Sequence, residues 1–210
     1  MEVADQPGCI CAGRRGIGTN DVREDMERLA VVLDGPLCPA DISPASGGNP
    51  IKWYLMKKAE FIDRVKTGRG EWTELLSMVD AGAMLEPGQE GEWSAKDILA
   101  HVMWYERQML ALLETRALVG SDLWKLPLDE RNSAIHDELK EMTLDEVCEE
   151  SDRVFAELIK QLDLLPEEAY GDSGCFEHMP AEWTPWEVMA GNTFRHYAEH
   201  TESIRRLTEI

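Results

Sequence analysis

Two histidines near the end of the chain, His196 and His200, have the spacing of a metal-binding pair. Residues four apart in a helix lie one turn apart, so both imidazoles project from one face and can converge on one ion. A third ligand has to come from another helix, and His101 lies on the inward-facing stripe of one. Three neutral imidazoles leave coordination positions open for water or substrate and suit Zn, Ni, Fe or Mn. The alternative is three unrelated core histidines, each hydrogen-bonded to a neighbour.

Three further residues are candidates for the pocket around such a site. Asn192 lies one turn before His196, and Tyr105 lies one turn after His101, so either could orient a ligand, a bound water or a substrate carbonyl. The alternative role for both is a buried polar group with a partner inside the protein. Glu106 is expected on a solvated side of its helix, and a hydrogen bond from an imidazole N–H is its alternative role.

The seven tryptophans suggest a second kind of site. Trp104, Trp124 and Trp186 are candidates for the wall of a small-molecule pocket at one end of the fold, with plain core packing as the alternative. The other two histidines, His136 and His178, lie in predicted connections between helices. We expect both of them on the surface.

Helical periodicity starts near residue 56 and predicts the elements that position these side chains. The first helix starts at Met56, and Gly68 and Gly70 should soften it without ending it. The second helix carries the first of the three metal-ligand candidates. It starts at the N-cap Ser94, with Asp97 in the capping-box position.

The other two long helices also have recognisable starts. Thr143 is the predicted N-cap of the third helix, with Glu146 completing a capping box. The fourth is predicted as one continuous helix over residues 183–207, which contains the histidine pair. Its capping box is Thr184 with Glu187.

The fold class follows from these helices. No stretch alternates apolar and polar residues as a half-buried strand does. The long connection at residues 118–142 can cross the end of a bundle. We therefore predict an all-α, four-helix bundle over residues 56–210. Residues 1–55 are rich in glycine and proline and are predicted to be a poorly ordered N-terminal extension.

The overall charge excludes some partners. The chain has 210 residues and a formal net charge of −20. A phosphate-binding face needs clustered lysine and arginine, so this charge argues against nucleic acid and against anionic membrane surfaces. The longest aliphatic run near the start, residues 29–33, is far too short for a membrane span or a signal peptide. A cytoplasmic location is expected.

Four segments carry a family resemblance. The second helix opens with Trp-Ser-Ala-Lys-Asp-Ile-Leu-Ala-His at residues 93–101 and continues with Trp-Tyr-Glu-Arg at 104–107. The fourth contains Gly-Asn-Thr at 191–193 and His-Tyr-Ala-Glu-His at 196–200. In order and spacing, these segments resemble the ClbS/DfsB family of four-helix bundle proteins within the DinB-like superfamily. The resemblance covers residues 56–210.

This resemblance carries structural and chemical expectations. It implies an up-down-down-up bundle with a long crossover between helices two and three. In the DinB-like superfamily, one histidine on the second helix and a His-x-x-x-His pair on the fourth commonly hold a divalent metal, which here implies His101, His196 and His200. Some members are thiol-dependent transferases or isomerases that use bacillithiol or mycothiol, and the ClbS member opens the reactive ring of a genotoxin.

The residues and the resemblance together favour a metal-dependent enzyme that activates a water or a thiol for attack on a small electrophilic compound, in detoxification or a stress response. Its expected partners are a small-molecule substrate and a low-molecular-weight thiol, and a homodimer is compatible with this function. The alternative is a non-catalytic ClbS-like bundle that binds or sequesters a small hydrophobic molecule at a Trp-rich end. A third hypothesis is a structural dimer with a buried polar core.

Overall fold

The computed structural model of the chain describes residues 56–88 and 93–208. Six α-helices lie in these ranges: α1 Lys58–Ser77, α2 Ala95–Thr115, α3 Leu128–Leu139, α4 Leu144–Leu164, α5 Pro185–Gly191 and α6 Phe194–Thr208. The described ranges contain no strand, only one isolated bridge between Ala117 and Glu177. The all-α prediction is therefore confirmed. The predicted extension at residues 1–55 lies outside the described residues.

Helices α2 and α4 pack side by side and run in the same direction. Near the start of α2, Lys96 Nζ donates a hydrogen bond to the carbonyl of Lys140, just before α4 begins. Further along both helices, Arg107 Nη2 lies 2.9 Å from Glu150 Oε1. Parallel neighbours cannot be joined by a tight turn, so the chain has to return along the bundle between them. Residues 116–143, which contain α3, make this crossover.

Helices α1 and α6 form the second parallel pair. The ring centroids of Phe61 and Phe194 are 5.7 Å apart near the start of each helix. Later in both, Trp72 stacks on Tyr197 with a centroid distance of 6.4 Å. This pair positions the helix that carries two of the histidines.

The two pairs run in opposite directions. Lys58, at the start of α1, lies beside Asp163 at the end of α4, with 3.9 Å between Nζ and Oδ1. Arg69, later in α1, contacts Asp152, which lies earlier in α4, with 3.2 Å between Nη2 and Oδ1. The directions are therefore up-down-down-up, as the resemblance implied.

Two predicted helix starts have the expected capping boxes. The Ser94 Oγ accepts a hydrogen bond from the Asp97 N–H, and the Asp97 carboxylate accepts one from the Ser94 N–H at 3.0 Å. Thr143 and Glu146 make the same reciprocal pair at the start of α4. Each box satisfies two N–H groups that a helix end leaves unpaired. The Ser94 box fixes the start of the helix that carries His101.

The prediction of one continuous helix over residues 183–207 is wrong, because the helix breaks at Asn192 and Thr193. The Asn192 amide donates to the carbonyl of Val188, and the Thr193 hydroxyl donates to the carbonyl of Met189, both at 2.7 Å. In an unbroken helix, the backbone N–H groups of Asn192 and Thr193 would bond to these two carbonyls. Here they bond instead to the carbonyls three residues earlier, those of Met189 and Ala190. The side chains therefore compete with the helical ladder and divide it into α5 and α6.

The predicted capping box at the start of this segment is also wrong. Thr184 is the N-cap of α5, but its side chain makes no capping hydrogen bond. Pro185 follows in the first turn, where its fixed φ suits the helix and its missing N–H costs nothing. Proline geometry, and not a box with Glu187, defines this start.

We expect opposite effects from alanine at the two glycines of α1. A Cβ at Gly68 would lie 2.9 Å from the Phe194 Cβ, so Gly68→Ala should push α6 away and cost about 1–2 kcal/mol of unfolding free energy. A Cβ at Gly70 meets nothing within 4 Å, so Gly70→Ala should add about 0.5–1 kcal/mol. Urea unfolding of both variants checks this. Equal stabilisation by both would contradict the close approach of α1 and α6.

None of the helices in the described ranges is both long and apolar enough to span a membrane.

Candidate functional site

The structure brings His101, His196 and His200 together in the bundle interior. His101 lies on α2 and the other two on α6, and their exposed fractions are 2 %, 1 % and 6 %. The nitrogens that each can offer to a metal all lie within 4.8 Å of one another. The Nε2 atoms of His196 and His200 are 3.1 Å apart. We call these three residues the histidine triad.

The triad contains buried nitrogens without hydrogen-bond partners among the described residues. Both ring nitrogens of His101 are of this kind, and so is Nδ1 of His196. A buried polar atom left without a partner costs about 1–3 kcal/mol. The alternative of three core histidines that each bond a neighbour does not describe His101. A divalent cation fits this donor set, because it would take up the lone pairs that the protein leaves unused.

Two of the three histidines, His101 and His196, are held in the protonation state that binds metal. Burial lowers the pKa of His101 well below its ordinary value, and the neighbouring His196, His200 and Arg131 lower it further. Burial and His200 likewise hold the pKa of His196 well below its usual range. Only the neutral imidazole has a lone pair free for a metal, so these histidines are ready to coordinate.

The depressed pKa values of His101 and His196 predict a pH dependence of stability in the metal-free protein. Below the ordinary histidine pKa of about 6.5, the unfolded chain binds protons that the folded chain does not, so stability falls as pH falls. Between pH 7 and 5.5 the loss should be about 1.3 kcal/mol per histidine. Urea unfolding at both pH values in the presence of EDTA measures it.

The control for this experiment is His101→Leu. This variant should lose about half of the pH dependence of the unfolding free energy, because one of the two imidazoles with a lowered pKa, that of His101, is gone. At pH 7 it should be at least as stable as the wild type, since two unpartnered nitrogens are removed. An unchanged pH dependence in the variant would contradict the assignment.

Tyr105 packs directly against the triad. Its ring centroid is 4.8 Å from that of His101 and 4.6 Å from that of His196. Its hydroxyl lies 3.5 Å from Asn132 Oδ1, a long and weak hydrogen bond. Burial raises the pKa of Tyr105, and the nearby guanidinium of Arg131 opposes that rise. Tyr105 thus lies where it can contact a molecule bound at the triad.

The prediction for Glu106 is wrong, because this side chain is fully buried. Arg69 Nη1 lies 3.2 Å from one carboxylate oxygen, and the Tyr197 hydroxyl donates a hydrogen bond to the other. Arg69 Nη2 also donates to the Ser151 hydroxyl at 2.9 Å. Burial raises the pKa of Glu106, whereas Arg69 and Tyr197 oppose the rise. This network joins α1, α2, α4 and α6, and neither ring nitrogen of His101 bonds to it.

The two remaining histidines differ from each other. His178 is exposed, as predicted. His136 is only half-exposed, because its ring stacks on the ring of Trp93 with a centroid distance of 5.5 Å. Trp93 also contacts His101, with 5.0 Å between the ring centroids. The surface prediction for His136 is therefore only partly correct.

Comparison with known proteins identifies the family. Residues 64–204 match the family model of the DinB superfamily. The chain belongs to the DinB superfamily. Metal binding is common in this superfamily, so the DinB assignment and the histidine triad are consistent. No curated protein matches the sequence.

Two solved structures share the DinB bundle. A protein of Streptococcus pneumoniae, a structural genomics target, is 16 % identical, with a TM-score of 0.63 over 71 % of this chain and 88 % of that chain. An uncharacterised protein of Escherichia coli UTI89 is 15 % identical, with a TM-score of 0.56 over 71 % of this chain and 91 % of that one. At these identities the likeness shows the fold alone. The finer resemblance to the ClbS/DfsB family stays a prediction.

A cavity of about 450 Å³ lies between α2, the crossover and α5 of this DinB bundle, and none of the three histidines lines it. Trp124 and Trp183 contribute to its wall, and so does Asn192. The sequence prediction of a Trp-lined pocket is correct for Trp124 but not for Trp104 or Trp186, which lie outside this lining. Trp104 is instead buried in the core, with 2 % of its surface exposed.

Two side chains in contact with each other, Trp124 and Tyr105, connect this cavity to the triad. The Trp124 ring, which lines the cavity, is 5.4 Å from the ring of Tyr105, and Tyr105 contacts His101 and His196. Asn192 also lines the cavity and lies one turn before His196. The cavity and the triad therefore form neighbouring parts of one candidate site.

Arg131, a buried charged residue of α3, was not predicted as part of the site. Its guanidinium lies 5.0 Å above the Trp124 ring, and its positive charge lowers the pKa of the neighbouring Tyr105. Leu128, Ile135 and Leu139 of α3 are buried, and Arg131 stands at the i+3 position of their stripe. A charged residue within an apolar helical stripe was the signal available in the sequence.

Proposed function

We propose that this DinB protein is a metal-dependent enzyme that acts on a small electrophilic compound, with His101, His196 and His200 binding one divalent ion. One observation supports this most strongly: three buried imidazoles converge, and His101 has no other partner for either nitrogen in the described part of the chain. Two imidazole nitrogens bound to one zinc ion in tetrahedral geometry lie about 3.3 Å apart. The observed 3.1 Å between His196 and His200 is close to that value.

The chemistry fits a site with neutral ligands and no nucleophile of its own. A divalent ion held by three histidines keeps positions open and lowers the pKa of a bound water or thiol towards neutrality. The protein side chains exclude bulk water, since Trp93 covers one side of His101 and Tyr105 covers another. Cys175 is a poor nucleophile, because burial and nearby Asp172 raise the pKa of its thiol. A low-molecular-weight thiol from solution is the better candidate.

The cavity sets the size and polarity of the substrate. Its volume of about 450 Å³ lies within the range for small-molecule sites. Trp124, Trp183 and Val188 contribute to the larger, apolar part of its wall. The polar part is formed by Gln108, Ser121, Asp122, Lys125 and Asn192. A compact, mostly apolar molecule fits it best. In the alternative function, the cavity binds or sequesters such a molecule and the protein is not a catalyst.

Turnover and binding distinguish these two functions. Zinc-loaded protein is incubated with three small electrophiles, an epoxide, an alkyl halide and an unsaturated ketone, with and without cysteine as the thiol. Tryptophan fluorescence reports binding of the same compounds, since Trp124 and Trp183 line the cavity. An enzyme consumes at least one compound, and His200→Ala abolishes consumption without abolishing binding.

A remote histidine provides the control. His178 is exposed at φ 65°, a conformation that asparagine tolerates, so His178→Asn should leave turnover unchanged. Turnover that survives loss of His200 contradicts the metal-dependent enzyme. Tight binding without any consumption, in wild type and His200→Ala alike, supports the non-catalytic binder.

A further inference from the structure

Arg131 carries a buried positive charge that no carboxylate of the described residues neutralises. Only 3 % of the residue is exposed, and its Nε and Nη1 atoms have no hydrogen-bond partner in the part of the chain that the structure describes. These two nitrogens carry three of the five N–H donors of a guanidinium. Within residues 56–88 and 93–208, no carboxylate lies within 4.0 Å of it. An unpaired buried charge costs several kcal/mol, so its presence in α3 calls for an explanation.

The other buried arginine of the bundle shows what a structural pairing looks like here. Arg69, with 4 % exposed, contacts the carboxylates of Glu106 and Asp152 and the hydroxyl of Ser151. Among the described residues, Arg131 has the face of Trp124 and lies near the Tyr105 hydroxyl, whose pKa it lowers. A ring face and a hydroxyl hold the guanidinium in place but supply no negative charge. Within the described residues, Arg69 is therefore paired with carboxylates and Arg131 is not.

The contacts of Arg131 place it at the candidate site. Tyr105 contacts two histidines of the triad, and Trp124 forms part of the cavity wall. The charge of Arg131 reaches His101, whose pKa it helps to lower. The carboxylate whose negative charge raises the pKa of Tyr105 is that of Glu199, and Glu199 is exposed to solvent. Three neutral imidazoles leave the charge of a divalent ion uncompensated, so the site as a whole lacks a buried anion.

We propose that Arg131 binds a carboxylate group of the substrate, held between its guanidinium and the histidine triad, while the apolar remainder occupies the cavity. This rests on the proposed function and names its substrate class as small, largely apolar carboxylic acids. A carboxylate matches the planar guanidinium and its few free donors better than a larger phosphate does. Arg131 does not line the cavity itself, so the half-buried Trp124 ring has to turn aside for the carboxylate to reach it.

Calorimetric titration of the zinc-loaded protein tests this with three probes of similar shape. Benzoate carries a carboxylate, benzamide is its neutral counterpart, and phenyl phosphate carries the larger anion. We expect benzoate to bind at least about 30-fold more tightly than benzamide, the loss expected when a buried charge pair is broken. Phenyl phosphate should bind more weakly than benzoate. Equal binding of benzoate and benzamide would overturn the proposal, and tighter binding of phenyl phosphate would overturn the carboxylate assignment.

Two arginine variants assign the effect to one residue. Arg131→Met should weaken benzoate binding at least about 30-fold and leave benzamide binding unchanged. Arg195→Met is the control, because it removes an exposed guanidinium from α6, 5.4 Å above Trp186, and should change both by less than twofold. Benzoate binding that survives in Arg131→Met shows that the metal alone holds the carboxylate, and sinks the proposal.

Stability and metal-free titrations separate the possible failures. Replacement of an arginine with a structural role should destabilise the ligand-free protein, whereas replacement of an unpaired buried charge should not. We therefore expect Arg131→Met to keep or raise the melting temperature. A lowered melting temperature together with unchanged benzoate binding assigns a structural role to Arg131. The benzoate and benzamide titrations are repeated without metal. If the wild type binds no zinc, the proposed function fails, while the preference of the metal-free protein for benzoate still decides the role of Arg131.

Discussion

Replacing Glu106 by leucine should lower the free energy of unfolding by about 3–5 kcal/mol. Glu106 is fully buried and contacts Arg69 and Tyr197. Its removal leaves the Arg69 guanidinium in the interior with only Ser151 and the half-exposed Asp152. A buried charge that loses its partner retains the full cost of desolvation. Urea unfolding at pH 7 measures the change.

Two further variants test the physical reason for this loss. Glu202→Gln removes a carboxylate from an exposed pair with Arg205 and should change stability by less than about 1 kcal/mol. Arg69→Met combined with Glu106→Leu removes both buried charges and should recover most of the loss. A double variant as unstable as Glu106→Leu alone would show that packing, and not the unpaired guanidinium, sets the cost.

Zinc should stabilise the folded protein strongly, and the triad should be required for this. When free zinc is about 1,000 times Kd, binding adds about 4 kcal/mol to the free energy of unfolding. Loss of residues that only support metal ligands costs about 10–100-fold in affinity, so His200→Ala, which removes a ligand, should cost more than about 100-fold. At the same free zinc, at most about 1.4 kcal/mol of stabilisation then remains. Unfolding in zinc-buffered solution measures both values.

The control for zinc stabilisation is His178→Asn. This variant removes an exposed histidine far from the interior and should keep the full stabilisation. Equal stabilisation of His200→Ala and the wild type would place the zinc elsewhere on this acidic chain.

Local sequence signals predicted much of the site. The four-residue spacing of His196 and His200 places both on one face of α6 whatever the rest of the chain does. The capping box at Ser94 located the start of α2 and so the turn that carries His101. That α2 brings His101 to α6 follows from the order and direction of the helices. Spacing alone left this open, and the family resemblance supplied it.

Other features depend on contacts between distant segments and could not be predicted locally. Glu106 is buried because α2 is apolar on nearly every face, which leaves no solvated side for a central residue. Its pairing with Arg69 depends on the approach of α1 to α2. The break after α5 arises from hydrogen bonds of Asn192 and Thr193 to nearby carbonyls, and these side chains can equally face solvent in an unbroken helix. The cavity is a gap between elements and has no sequence signal of its own.

Metal content tests the central claim most directly. Untagged protein is purified without chelators, incubated with Zn²⁺, Ni²⁺ or Mn²⁺, dialysed and measured by elemental analysis, beside a His196→Ala variant treated in the same way. The triad predicts close to one divalent ion per chain in the wild type and almost none in the variant. No bound ion in the wild type after any of these incubations, or an equal content in the variant, would contradict a metal site at His101, His196 and His200.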